Sequence, residues 1–135
     1  MKTIVLFSGG IDSTTALYWA LNEGWEVSAL TVDVQQASRM DIQSTKVIAA
    51  KCPLEDHKII PLPFYDHFTI HSSIGSIGKD GKSVSKDYLP VRNPIFYSIA
   101  TGWAETIGAQ QIIAGSTIED GYDLPDARVE FYAMM

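Results

Sequence analysis

Lys2-Thr-Ile-Val-Leu-Phe7 runs directly into Ser8-Gly9-Gly10-Ile11-Asp12-Ser13-Thr14-Thr15, and this junction decides the fold. An apolar, β-branched run of this length reads as a buried strand over residues 2–7. The two glycines let the backbone turn and approach a ligand closely. The polar residues after them start a helix, whose unpaired N–H groups and positive dipole end then face the turn. Ser8, Ser13 and Thr14 add hydroxyls at the same spot. The segment is therefore expected to cradle an anion. It is not the Walker phosphate loop, because Asp12 stands where that loop has Lys before Ser13. It is not the G-x-G-x-x-G dinucleotide turn either.

Strand and helix patterns alternate outward from this point, as in a parallel sheet with crossover helices. Residues 13–23 carry Ala16, Leu17, Ala20 and Leu21 at helical spacing and close at Gly24. Residues 26–32 form a second strand ending at Asp33. A helix is expected from about Ser38 to Lys51, and a short strand over 57–61. A third helix runs from Pro94 to Gly108, with Asn93 as its cap and Pro94 as its first residue. Gln111–Ala114 makes a fourth strand that ends at Gly115. The fold class is α/β, a Rossmann-like parallel sheet with helices on both faces. Ligand is expected at the carboxyl ends of the strands, where the order reverses at the first strand.

Composition bounds the function. The 135 residues suit a single domain, and 46% hydrophobic with 19% charged content marks a soluble protein. A net charge of −6 argues against a nucleic-acid surface, which needs clustered Lys and Arg. No apolar run reaches transmembrane length and the chain opens on a strand, so a cytoplasmic protein with no membrane partner is expected. The lone Cys52 excludes an internal disulfide and reads as an inert thiol.

Three spaced motifs narrow the class. Ser8–Ser13 is similar to the loop of the PP-loop, or N-type, ATP pyrophosphatases, which hold the β- and γ-phosphates of ATP and break the α–β bond. Pro90-Val91-Arg92-Asn93 and Pro125-Asp126-Ala127-Arg128-Val129-Glu130-Phe131 resemble two further segments of the 7-cyano-7-deazaguanine synthase family. The resemblance covers nearly the whole chain and implies an adenine nucleotide alpha hydrolase-like fold. The implied reaction is adenylation of a substrate carboxylate, followed by amide and nitrile formation with ammonia, releasing AMP and pyrophosphate. ATP and Mg²⁺ are the implied cofactors, a purine-like small molecule the implied substrate, and a homo-oligomer the implied assembly.

By the same resemblance, Asp12, Ser13 and Arg92 are the catalytic candidates. Phe7, Ser8, Gly9, Gly10, Asp12, Ser13, Thr14, Asp33, Arg92, Asn93 and Gly115 are the nucleotide candidates. Asp120, Tyr122, Asp126, Arg128, Glu130 and Phe131 are the substrate candidates. Departures are evident: Val91 replaces the family's Gly, Gln36-Ala37-Ser38 replaces a stretch containing Arg-His, and the family's four-cysteine zinc site has no counterpart. The single domain is accordingly expected to be incomplete at its C-terminus. A different PP-loop adenylating enzyme, tRNA-modifying or amide-forming, and a non-catalytic nucleotide-binding module stay open as alternatives.

Other groupings carry less. His67 and His71 share a helical face beside Asp66 but have no third ligand at motif spacing, so no protein metal site is expected. The Ser-, Gly- and Lys-rich residues 71–88 read equally as a lid or as a solvated loop. Asp120, Asp123 and Asp126 suit Mg²⁺ or ordinary turns. Tyr18, Trp19, Phe96, Tyr97 and Trp103 are expected in the core.

Overall fold

The computed structural model describes residues 1–34, 39–63, 92–117, 121 and 125–134. Four strands, β1 (Lys2–Leu6), β2 (Glu26–Asp33), β3 (Asp56–Pro61) and β4 (Gln111–Ala114), form one all-parallel sheet in the order β3-β2-β1-β4. Three helices belong to the crossovers: α1 (Ile11–Asn22), α2 (Arg39–Ala49) and α3 (Arg92–Ile107). A 3-10 turn at Pro125–Ala127 and a short helix α4 (Val129–Met134) follow β4. The segment 71–88, His67, His71, the 35–38 stretch and residues 90 and 91 lie outside the described residues.

Side-chain alternation explains why helices cover both faces. Val5 and Phe7 of the first strand run, with Val27 and Ala29 of β2, point to one face and pack against Leu17 and Ala20 of α1. Ile48 and Cys52 extend that layer at the end of α2. Ile4 and Leu30 point the other way, onto Ala100, Trp103 and Ala104 of α3. Ile4, Val5 and Leu17 are fully buried, so each contributes roughly 1.5–3 kcal/mol relative to exposure. Strands buried on both faces read as continuous apolar runs, as β1 does.

Two expectations change. The third helix begins at Arg92, so Asn93 lies within its first turn and does not cap it. Pro94 is tolerated there because first-turn N–H groups have no intrahelical acceptor. The cap comes from far along the chain: the Asn93 N–H donates to Oδ2 of Asp126 at 2.9 Å. Tyr18 and Trp19, expected in the core, are 51% and 50% exposed on the outer side of α1, where Trp19 meets Trp25 edge-on at 5.1 Å. Trp103 is buried as expected.

Candidate nucleotide site

The chain turns from β1 into α1 through Ser8–Gly10, and each glycine there has a different role. Gly9 has φ +83°, a left-handed conformation that side chains rarely tolerate. A Cβ on it would also lie 3.0 Å from the Asp41 carbonyl oxygen and the Thr45 methyl of α2. Gly10 is extended, with φ −74° and ψ 169°, and has room for a side chain. Gly9 alone therefore requires glycine for backbone conformation, although the sequence makes the pair look equivalent.

The loop's hydroxyls hold its shape. Ser13 is buried; its Oγ donates to the Gly10 carbonyl at 3.1 Å and accepts from the Ser8 N–H at 3.2 Å. With the Ser13 proton committed, Ser8 Oγ donates to Ser13 Oγ across 3.0 Å. The Thr14 N–H donates to the Gly10 carbonyl, the first helical bond. No side chain caps α1 at Gly10. Its first-turn N–H groups are thus presented to the turn, the arrangement an anion satisfies.

Beneath the loop lies a support that sequence reasoning missed. Thr31 Oγ1 donates to the Phe7 carbonyl at 2.7 Å and lies 2.9 Å from Nε2 of His57. The threonine has one proton, so His57 Nε2–H is the donor in the second bond. Burial pushes the His57 imidazole below its ordinary value; Asp56 opposes this and Lys46 adds to it, both more weakly. The only sequence signal was the position of His57 on a strand beside β2.

A cleft of about 230 Å³ opens at the carboxyl ends of the strands. Phe7, Ser8 and Ser13 form one wall, Leu30 and Val32 the floor, and Ala114, Gly115 and Ser116 the wall beyond β1. Arg92, Asn93, Phe96 and Ala127 close it from the α3 side. Helix spacing puts Arg92 and Phe96 on one face of α3. The cleft straddles β1 and β4, where the strand order reverses, the usual ligand position in open α/β sheets. Arg92 is the sole charged residue among the described residues lining it. The described residues of a protein of net charge −6 thus present one cation and no carboxylate at this opening.

Gly115 sets the width of the cleft. A Cβ there would lie 2.5 Å from the Asp12 carbonyl carbon and 2.7 Å from the Ser13 nitrogen, both backbone atoms. The end of β4 thus packs directly against the start of α1. Asp12 is exposed on that turn and, like Gly9, Gly10 and Thr14, does not line the cleft itself. Asp33 ends β2 on the same edge of the sheet, its carbonyl accepting from the Leu62 N–H at 2.7 Å, and also stands off the cleft.

Asp126 is buried and engaged with Asn93, while Ala127 beside it faces the cleft. Arg128 is exposed and its Nε donates to the Gly121 carbonyl at 3.3 Å; Glu130 is exposed and Phe131 half-buried. Asp120 and Tyr122 lie outside the described residues. The structure adds two residues to this side. Tyr132 hydroxyl lies 2.9 Å from Ser116 Oγ at the cleft edge, and its ring meets Tyr97 edge-on at 5.9 Å. Burial raises the Tyr97 phenol above its ordinary range, assisted by Tyr132. Among the described residues no three His, Cys, Asp or Glu converge as a metal site.

Comparison with known proteins identifies the family. The family model for the queuosine biosynthesis protein QueC matches residues 2–135. The chain belongs to the QueC family. It is 34% identical to the 7-cyano-7-deazaguanine synthase of Saccharophagus degradans, over 98% of this chain and 60% of that protein. It is 36% identical to the synthase of Novosphingobium aromaticivorans, over 96% of this chain and 57% of that one. For the Nostoc punctiforme synthase the figures are 32%, 100% and 64%. The chain thus spans about three-fifths of the length of the curated relatives it matches. The QueC assignment fits the α/β sheet with its carboxyl-end cleft. No described helix is long and apolar enough to cross a membrane.

Proposed function

We propose that the cleft binds ATP and that the chain carries the nucleotide half of an ATP-dependent synthetase. The observation that supports this most directly is the pairing of an uncapped α1 start with a cleft whose one charged residue, among the described residues lining it, is Arg92. The β- and γ-phosphates would lie against the Ser8–Thr14 turn, held by backbone N–H groups. Arg92, always charged and able to bond through two N–H groups, would clamp an oxygen next to the α-phosphorus. Phe7, Asn93 and Gly115 would bound the nucleoside side. Mg²⁺, when present, supplies charge neutralisation on the phosphates and would be bound chiefly through their oxygens and water.

The acceptor is a carboxylate: the relatives are named as synthases of 7-cyano-7-deazaguanine, and the resemblance of the motifs implies 7-carboxy-7-deazaguanine as substrate with ammonia as the nitrogen source. Attack on the α-phosphorus forms an acyl-adenylate and expels pyrophosphate, converting the carboxylate oxygen into a good leaving group. The protein contributes position and preorganised charge, with no covalent step of its own. Ala127 lines the cleft and Tyr132 meets its edge at Ser116, the side from which the acceptor would enter. A cytoplasmic homo-oligomer with no nucleic-acid or membrane partner completes the reading.

Incubation with Mg-ATP, ammonia and the carboxylate tests it. AMP and pyrophosphate appearing in step with acceptor loss are expected; ADP and phosphate as the sole products overturn the reading.

A further inference from the structure

Arg92 occupies an unfavourable position by its own chemistry. It stands in the first turn of α3, at the positive end of the helix dipole, and that turn contains no acidic residue. The compensating carboxylate comes from Asp126, 33 positions downstream of Asn93. Asp126 Oδ2 accepts the Asn93 N–H at 2.9 Å, and Asn93 Nδ2 donates to the Asp126 carbonyl at 2.9 Å. The two residues thus clasp each other reciprocally, and Asp126 is only 5% exposed. Its second oxygen, Oδ1, is buried without a hydrogen-bond partner. A cap could be supplied without such an orphan by Ser or Thr, so the full negative charge needs a reason of its own.

We propose that Asp126 is a positioning residue for Arg92: the Asn93–Asp126 clasp fixes the start of α3 and offsets the charge there, so that the guanidinium stays at the cleft wall. The inference rests on the nucleotide reading of the cleft. It assigns Asp126 to the α3 side and not to direct contact with the acceptor. It also links the segment bordering the acceptor entrance to the arm that holds phosphate.

Two effects of removing Asp126 have opposite signs. If the carboxylate acts merely as a nearby negative charge, its loss tightens anion binding. If it positions Arg92, its loss weakens binding. The test is calorimetric titration of ATP and of inorganic pyrophosphate into wild type, Asp126→Ala, Asp126→Asn, Asn93→Ala and Arg92→Ala, and into Arg92→Ala combined with Asp126→Ala. Asp126→Ala is expected to weaken both ligands on the order of tenfold, the scale of a lost cap. Asp126→Asn, which keeps an acceptor for the Asn93 N–H, should recover part of that loss. In the Arg92→Ala background the Asp126 effect should vanish, which a purely structural role would not produce.

Asn93→Ala removes one bond of the clasp and carries the test if Asp126→Ala fails to fold; it should weaken binding severalfold. Unchanged or tighter binding in the Asp126 variants, or a loss that persists without Arg92, overturns the positioning role while leaving the nucleotide reading intact. Wild type binding neither ATP nor pyrophosphate overturns both.

Discussion

Adding a single methyl group at Gly115 separates the cleft's geometry from its side-chain chemistry. The Gly115 Cβ would sit 2.5 Å from the Asp12 carbonyl carbon and 2.7 Å from the Ser13 nitrogen, where ordinary contact begins at 3.4 Å. The obstacle is backbone, with the Asp12 carbonyl oxygen nearest of all, so no rotamer change relieves it, and the start of α1 must retreat by about 1 Å. Overpacking of this kind costs about 1–3 kcal/mol. A displacement near 1 Å of groups that position a reacting centre costs on the order of a hundredfold in rate. Gly115→Ala is therefore expected to lower the urea-unfolding free energy by about 2 kcal/mol and pyrophosphate release by about a hundredfold. Gly10→Ala is the matched control: its Cβ meets only Ser8 Oγ, at 3.5 Å, on an extended backbone. It should leave stability within about 0.5 kcal/mol of wild type. If Gly115→Ala binds ATP within twofold of wild type and melts at the same temperature, the packing of β4 against α1 does not set the cleft.

Arg92→Ala should slow pyrophosphate release about a hundredfold or more, the usual effect of losing one preorganised charge donor; stopped-flow or coupled assays showing less than a fivefold change would remove Arg92 from the clamp role. Ser13→Ala strands the Ser8 N–H in a part-buried loop and removes one of two bonds to the Gly10 carbonyl, which keeps the Thr14 N–H. It should cost about 1–3 kcal/mol in urea unfolding, and a cost below 0.5 kcal/mol would contradict the hydroxyl network. His57 gives a pH signature. Its folded value lies below the ordinary 6.5, so the neutral form is favoured by folding. Stability is then fully present above that value and declines as pH falls through it and through the folded value. His57→Gln should flatten the decline in urea midpoints between pH 7.5 and 5.5; an unaltered slope places the acid sensitivity elsewhere.

The sheet was legible because its strands carry their own signal. The apolar run before Ser8 and the Gln111–Ala114 run each match a strand to within a residue. The switch point followed from the alternation of elements. What stayed hidden depends on contacts between distant positions. Asn93 reads as an N-cap because it precedes Pro94, yet the cap is Asp126, and no local pattern reports a bond across 33 residues. Tyr18 and Trp19 sit at helical spacing compatible with burial, but α1 has only one face against the sheet, occupied by Leu17 and Ala20. Gly9 and Gly10 are identical in sequence terms; the positive φ of Gly9 and the approach of α2 distinguish them. The Thr31–His57 support links neighbouring strands and depends on register, which pairs Ala29 with His57 and leaves Thr31 within reach.

These hidden contacts have a common form. Around the cleft, β4 meets α1 through Gly115, the loop meets α2 through Gly9, and α3 is held through the backbone N–H of Asn93. Each of these adds a main-chain approach or a main-chain hydrogen bond to the side-chain packing that holds α1 and α3 on the sheet. Such contacts are intolerant of small displacement, because backbone atoms cannot rotate away as a side chain can. The described residues lining the cleft are apolar or small and polar, with Arg92 the one charge among them. On the ATP reading proposed above, a site built this way would recognise an anionic group by amide and guanidinium geometry and leave the choice of acceptor to the segment that follows β4. That division accounts for a strong sequence signal at Ser8–Ser13 and a weaker one at residues 125–131, where Asp126 faces α3 while Ala127 faces the cleft.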